Sequence, residues 1–209
     1  MSGKEQVAGD MHGVRRAVLY GLFFASGVAA LIYQIAWQRM LYALFGVDLE
    51  SVTVIVSVFM FGLGVGALLG GQVADRFPDR LLAIFAVIEL GIGTYGFMSP
   101  QLIEAAGLAL SGGGRELTAA ASFAILAVPT ILMGATLPIL VAHVNATDHH
   151  VGSAVGILYY ANTLGATLGA VLSGFVLLQE CGLLGSVRVA AVLNTTVAFV
   201  AVIAFRRPR

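Results

Sequence analysis

Charge is scarce in this sequence. Only 11% of its 209 residues are Asp, Glu, Lys or Arg, while 59% are hydrophobic. Soluble domains carry about 25% charged residues. A water-soluble fold of this length could not hide so much apolar surface, so the soluble globular class is excluded. The formal net charge is +0, which leaves no bulk positive charge to draw the chain onto nucleic acid. Cysteine is nearly absent. Cys181 stands alone, which excludes an intrachain disulfide, and it reads as a small packing residue. Proline occupies five positions. Two of them, Pro129 and Pro138, fall inside one apolar run, where they read as bends that fit a helix to its neighbours rather than as a gate.

Long apolar runs are what the chain has instead. A membrane span needs about 20 mostly apolar residues at 1.5 Å rise each. Six runs qualify: Ala17–Phe45, Ser51–Val73, Leu81–Met98, Leu117–Val144, Val151–Leu178 and Leu183–Phe205. The expected fold is therefore all-α, a polytopic membrane protein of six transmembrane helices. The third run is short. The stretch Gln101–Leu110 that follows it is too short to span, and reads as an interfacial turn leading to the linker Ser111–Gly114. Residues 1–16 are polar and expected to be loosely ordered. They do not form a signal peptide, because the run after them is too long and lacks a cleavage site. The expected domains are a segment 1–16, a six-helix unit 17–205 and a basic tail 206–209.

The basic residues are unevenly placed. Lys4, Arg15 and Arg16 precede the first run, Arg76 and Arg80 separate the second from the third, and Arg206, Arg207 and Arg209 follow the sixth. With six spans these share one side, which the positive-inside rule makes cytoplasmic. The expected location is an integral protein of the bacterial inner membrane with both termini in the cytoplasm.

Small residues recur every four positions at Gly62, Gly66 and Gly70, and again at Gly165 and Gly169. That spacing lays a bare strip along one helix face, where another helix can approach closely. The string Gly62-Leu63-Gly64-Val65-Gly66 has no preceding strand, so it reads as packing rather than as a dinucleotide fingerprint.

Polar residues inside the runs stand out because they are costly in a bilayer. Glu89 lies about 12 Å into its span, and Asn162 and Asn194 about 16 Å into theirs. With Tyr159 or Tyr160 they could form one polar cluster, either a site for a cation or proton or a hydrogen-bonded clasp between helices. Gln34 and Arg39 form a second candidate polar group near the outer end of the first span. Arg39 would snorkel outward or pair with Asp48 or Glu50. His143, Asp148, His149 and His150 sit close in sequence, but adjacent histidines in a short loop do not fix tetrahedral geometry. No metal site and no cofactor is expected, and no catalytic constellation emerges.

Two resemblances add to this reading. GGQVADRFPDR resembles the signature of the major facilitator superfamily, Gly-x-x-x-Asp-Arg-x-Gly-Arg-Arg/Lys, found between its second and third helices. Gly71, Asp75, Arg76 and Arg80 match, while Pro78 and Asp79 depart from it. Six spans would make half of that superfamily's twelve, so the resemblance implies a half-major-facilitator-like bundle. FFASGVAALIYQIAWQRMLYALFG is similar to the opening of membrane-embedded spermidine-synthase-like proteins. Ser26, Gly27, Leu31, Tyr33, Trp37, Arg39 and Leu41 match, and Gln34 stands where glutamate is usual. Further matches are FMFGLGVGALLGG, Glu89, GATLPIL and LYYANTLGATLGA. In that family a soluble aminopropyltransferase domain follows the helices. It joins the aminopropyl group of decarboxylated S-adenosylmethionine to a diamine.

No such domain is legible before Arg209. The expected function is thus non-enzymatic: a membrane scaffold or anchor of the spermidine-synthase-like family that holds a synthase domain, or an accessory subunit of a larger membrane complex. The alternative is a half-transporter that dimerises and moves a small polar or cationic solute such as a polyamine. The expected partners are the lipid bilayer and a second copy or larger assembly, and no nucleic acid; the two glycine rows are candidate faces for it or pack inside the protomer.

Overall fold

A computed structural model describes the backbone of residues 3–45, 48–110, 114–148 and 151–205. Among these residues there are only helices and turns. The six main helices are α1 (Gly3–Phe45), α2 (Asp48–Arg76), α3 (Leu81–Ala109), α4 (Gly114–Asp148), α5 (Val151–Leu172) and α6 (Gly182–Ala204). A π-helical turn, Ser173–Leu177, and a last turn, Leu178–Glu180, extend α5. Gly182 has φ +66. That left-handed conformation suits glycine and lets the chain reverse within a residue or two into α6. All six helices are long and apolar enough to cross a membrane.

Two expectations about boundaries are corrected. Residues 3–16 are not loose but continue α1 as helix. Gln101–Leu110 is not a separate interfacial turn, because α3 runs unbroken through Pro100 to Ala109. A proline removes one donor and leaves the carbonyl four residues earlier without its partner. Here that carbonyl belongs to Gly96, and the Ser99 hydroxyl donates to it at 2.8 Å. The Trp37 indole N–H in turn donates to Ser99 Oγ at 2.8 Å. Pro129 in α4 is compensated in the same way. The carbonyl it orphans is that of Ile125, which accepts from the Tyr95 hydroxyl of α3 at 2.8 Å. Both prolines are thereby absorbed into helices that do not break.

The helices pair as α2 with α4, α1 with α5 and α6, and α3 with α6 and α4. In a bilayer, apolar helices would gain little from leaving lipid, and close backbone approach is what holds such helices together. The glycine rows provide it. A Cβ on Gly62 would strike Thr130, one on Gly66 would lie 2.8 Å from Gly134 Cα, and one on Gly70 would lie 2.6 Å from the Ala135 carbonyl. The numbers rise together, so α2 and α4 run parallel. Gly165 and Gly169 lie against the backbone of Phe24 and Val28, which sets α5 parallel to α1. Of the two places open to these rows, a face for a second copy or the inside of the protomer, both occupy the second.

α1 and α3 also run parallel, in a fixed register. Ser26 meets Glu89, Tyr33 meets Gly96, Trp37 meets Ser99 and Leu44 meets Gly107. Tyr33 stacks on Trp37, with ring centroids 4.8 Å apart. The start of α1, the α2–α3 turn and the ends of α4 and α6 come together at one end of the bundle. The ends of α1 and α3 and the start of α6 come together at the other.

Candidate functional site

Two apolar layers make the core. One contains Leu19, Phe23, Phe85, Ala86, Val197 and Ala201. The other contains Ala29, Ile32, Tyr33, Ile92, Ala190 and Ala191. Between them, on α1, α3 and α6, lies a thin polar layer of Ser26, Glu89 and Asn194. Ser26 Oγ donates to Glu89 Oε1 at 2.6 Å, and Asn194 Nδ2 donates to Glu89 Oε2 at 2.5 Å. Glu89 is fully buried, and Ser26 and Asn194 nearly so. No cationic side chain pairs with Glu89 among the described residues. A buried carboxyl without a counter-ion depends on its hydrogen bonds, and both of its oxygens are occupied here. Asn194 Oδ1 and the Tyr33 hydroxyl are enclosed without partners among the described residues.

Of the four residues expected in one cluster, the structure brings two together. Glu89 and Asn194 meet. Asn162 does not join them. It backs onto α1 at Gly27, where a Cβ would lie 2.8 Å from its Oδ1. Ser26 and its neighbour Gly27 face different helices, so Asn162 is on the wrong side of α1. Tyr159 and Tyr160 point outward and are 61% and 66% exposed. Ser26 was not expected in the cluster. Its depth was the available signal: Ser26 is ten residues beyond Arg16, Glu89 nine beyond Arg80, and both helices start from the same end. That places both about 14–15 Å in.

The other candidates disperse. Gln34 is half-buried and Arg39 exposed, and no hydrogen bond or ion pair joins them among the described residues. The side chains of Asp48 and Glu50 lie outside the described residues, as do His149 and His150. In the loop motif, Asp75, Arg76 and Arg80 are exposed, Gly71 meets no neighbour, and Arg76 sits 5.9 Å from the centre of the Phe77 ring.

No family model matches the chain, and no solved structure matches it. Curated proteins do. Polyamine aminopropyltransferase 2 of Streptomyces coelicolor is 29% identical over 202 residues, covering 92% of this chain and 35% of its own. The polyamine aminopropyltransferase of Corynebacterium efficiens is 29% identical, covering 95% of this chain and 37% of its own. That of Mycobacterium tuberculosis is 28% identical, covering 88% and 35%. Its homologues are polyamine aminopropyltransferases. The chain spans about a third of the length of these relatives.

This overturns two expectations. The reading as a scaffold, accessory subunit or half-transporter fails, because proteins similar to nearly the whole chain carry an enzyme's name. The expectation that the chain is not an enzyme is overturned by the same names, which belong to proteins of which it spans about a third.

Proposed function

We propose that this chain is the membrane-embedded part of an enzyme that transfers aminopropyl groups to polyamines. The observation that carries this is the match to the polyamine aminopropyltransferases over most of the chain. In the reaction, an amine nitrogen of the diamine attacks the aminopropyl carbon bound to the sulfonium of decarboxylated S-adenosylmethionine. The carbon–sulfur bond breaks, methylthioadenosine leaves, and the new secondary ammonium gives up a proton. We assign the groups that bind these substrates to sequence outside the aligned third. The Glu89 layer is the clasp that fixes α1, α3 and α6 in the enzyme's helical part. The test uses membranes from the source cells and from cells lacking this chain, with putrescine and decarboxylated S-adenosylmethionine labelled in the aminopropyl group. Labelled spermidine should form with the first membranes and not with the second. Equal formation in both sinks the proposal.

The helices are proposed to cross the bacterial inner membrane with both chain ends in the cytoplasm, in a bundle related to half of the major facilitator architecture. The clustering of Arg15, Arg16, Arg76 and Arg80 toward one end of the helices supports this orientation. In a Cys181→Ser background, needed because Cys181 is exposed, His12→Cys should resist an impermeant thiol reagent in intact cells and Gly113→Cys should react. Labelling at position 12 would reverse the orientation.

A further inference from the structure

Independently of the aminopropyl reading, the end of the bundle that carries Arg15 holds a cavity of about 500 Å³. Four segments that are distant in sequence build it. Arg15 and Arg16 come from α1, Asp79 and Arg80 from the α2–α3 turn, His143 from α4 and Phe205 from the end of α6. Among the described residues, three arginines and one carboxylate therefore line one cavity. The deeper wall is apolar, with Leu19 of α1 and Phe205. His143 packs edge-on to the Phe205 ring, centroids 6.2 Å apart, which closes that wall.

Basic residues that only set orientation need no cavity and can project into water. Here they converge on one, at the level where the apolar run of α1 begins. Guanidinium forks bind phosphate oxygens two at a time, and they do so better where an apolar wall excludes water. A phosphate above and hydrocarbon beneath is the chemistry of an anionic phospholipid headgroup. Basic pockets between helix ends are suited to such groups.

We propose that this cavity is a binding site for a phosphate-bearing anion, gripped by Arg15 and Arg80 over the Leu19–Phe205 wall. The same phosphate chemistry is found in a lipid headgroup and in a soluble phosphate, and the experiment separates them.

The purified full chain in a neutral detergent is titrated with dioctanoyl phosphatidylglycerol, dioctanoyl phosphatidylcholine or inorganic phosphate. Bound ligand is counted by native mass spectrometry. Phosphatidylglycerol should bind in one saturable step and phosphatidylcholine should not. Arg15→Gln with Arg80→Gln should weaken phosphatidylglycerol at least about tenfold, as expected when charge-assisted hydrogen bonds are lost. Arg15→Lys with Arg80→Lys should recover part of that loss, and Arg188→Gln, at the far end, should leave binding unchanged. If inorganic phosphate alone occupies the site and displaces the lipid, the site stands and its ligand is soluble. Equal binding of the two lipids by the wild type overturns the proposal whether or not the glutamine variant folds. So does phosphatidylglycerol binding that a folded glutamine variant retains in full.

Discussion

Replacing Gly66 with leucine is expected to disrupt the bundle, while the same change at Gly64 is tolerated. The two positions lie on one helix, half a turn apart. A Cβ at Gly66 would run into the Ile131 carbonyl and lie 2.8 Å from Gly134 Cα and 3.0 Å from Ala135 N, whereas one at Gly64 meets nothing within 4 Å. The obstacle at Gly66 is backbone, so no rotamer relieves it. α2 and α4 must separate, and the contacts of Gly62 and Gly70 with α4 are lost with it. The expected loss is about 3 kcal/mol, the upper end of overpacking penalties. Unfolding in a denaturing-detergent titration, with helicity followed by circular dichroism, would read it. If Gly66→Leu and Gly64→Leu unfold together at the wild-type midpoint, the α2–α4 interface described here is wrong.

The second large effect is expected at Glu89, and it separates shape from charge. Glu89→Leu removes the acceptor of both Ser26 and Asn194 and strands two polar groups between apolar layers. Hydrogen bonds between membrane helices are worth about 0.6–2 kcal/mol each, so losing two should cost about 1–4 kcal/mol. Glu89→Gln should cost much less. Its amide oxygen can still accept from Ser26. Its amide nitrogen can donate to Asn194 Oδ1, which has no partner among the described residues, once that side chain turns over. The order of stability in the same titration should be wild type, then Gln close behind, then Leu. A Leu variant as stable as wild type would show that the polar layer does not hold α1, α3 and α6 together. A Gln variant as unstable as Leu would show that the charge, rather than the hydrogen bonds, is what the layer requires.

Much of the fold is legible in the chain because the bilayer criterion is one-dimensional. Twenty apolar residues in a row are visible without knowing what they touch, and six such runs became six helices. The glycine rows were legible as places of close approach, since only a missing side chain lets backbones come so near. Glu89 was legible as a residue needing partners, because an ionisable group in an apolar run has nowhere else to turn. The extension of α3 past Pro100 was not legible. It depends on Ser99 capping the orphaned Gly96 carbonyl while Trp37 of α1 holds Ser99, a contact across 62 positions.

What the sequence by itself determined is the number of helices, the end where basic residues gather, and the demand for polar partners at Glu89. What only the tertiary structure decided is how each helix is turned about its own axis. A soluble helix announces its inner face by an apolar stripe. Here the outer faces are as apolar as the inner ones, with Val52, Met60 and Leu68 exposed and Val58 and Phe59 buried on the same helix. Nothing in the hydropathy therefore says that Ser26 faces Glu89, that Asn162 backs onto Gly27, or that Tyr159 looks outward. Those rotations follow from which glycine meets which backbone, and that is known only once the helices are packed.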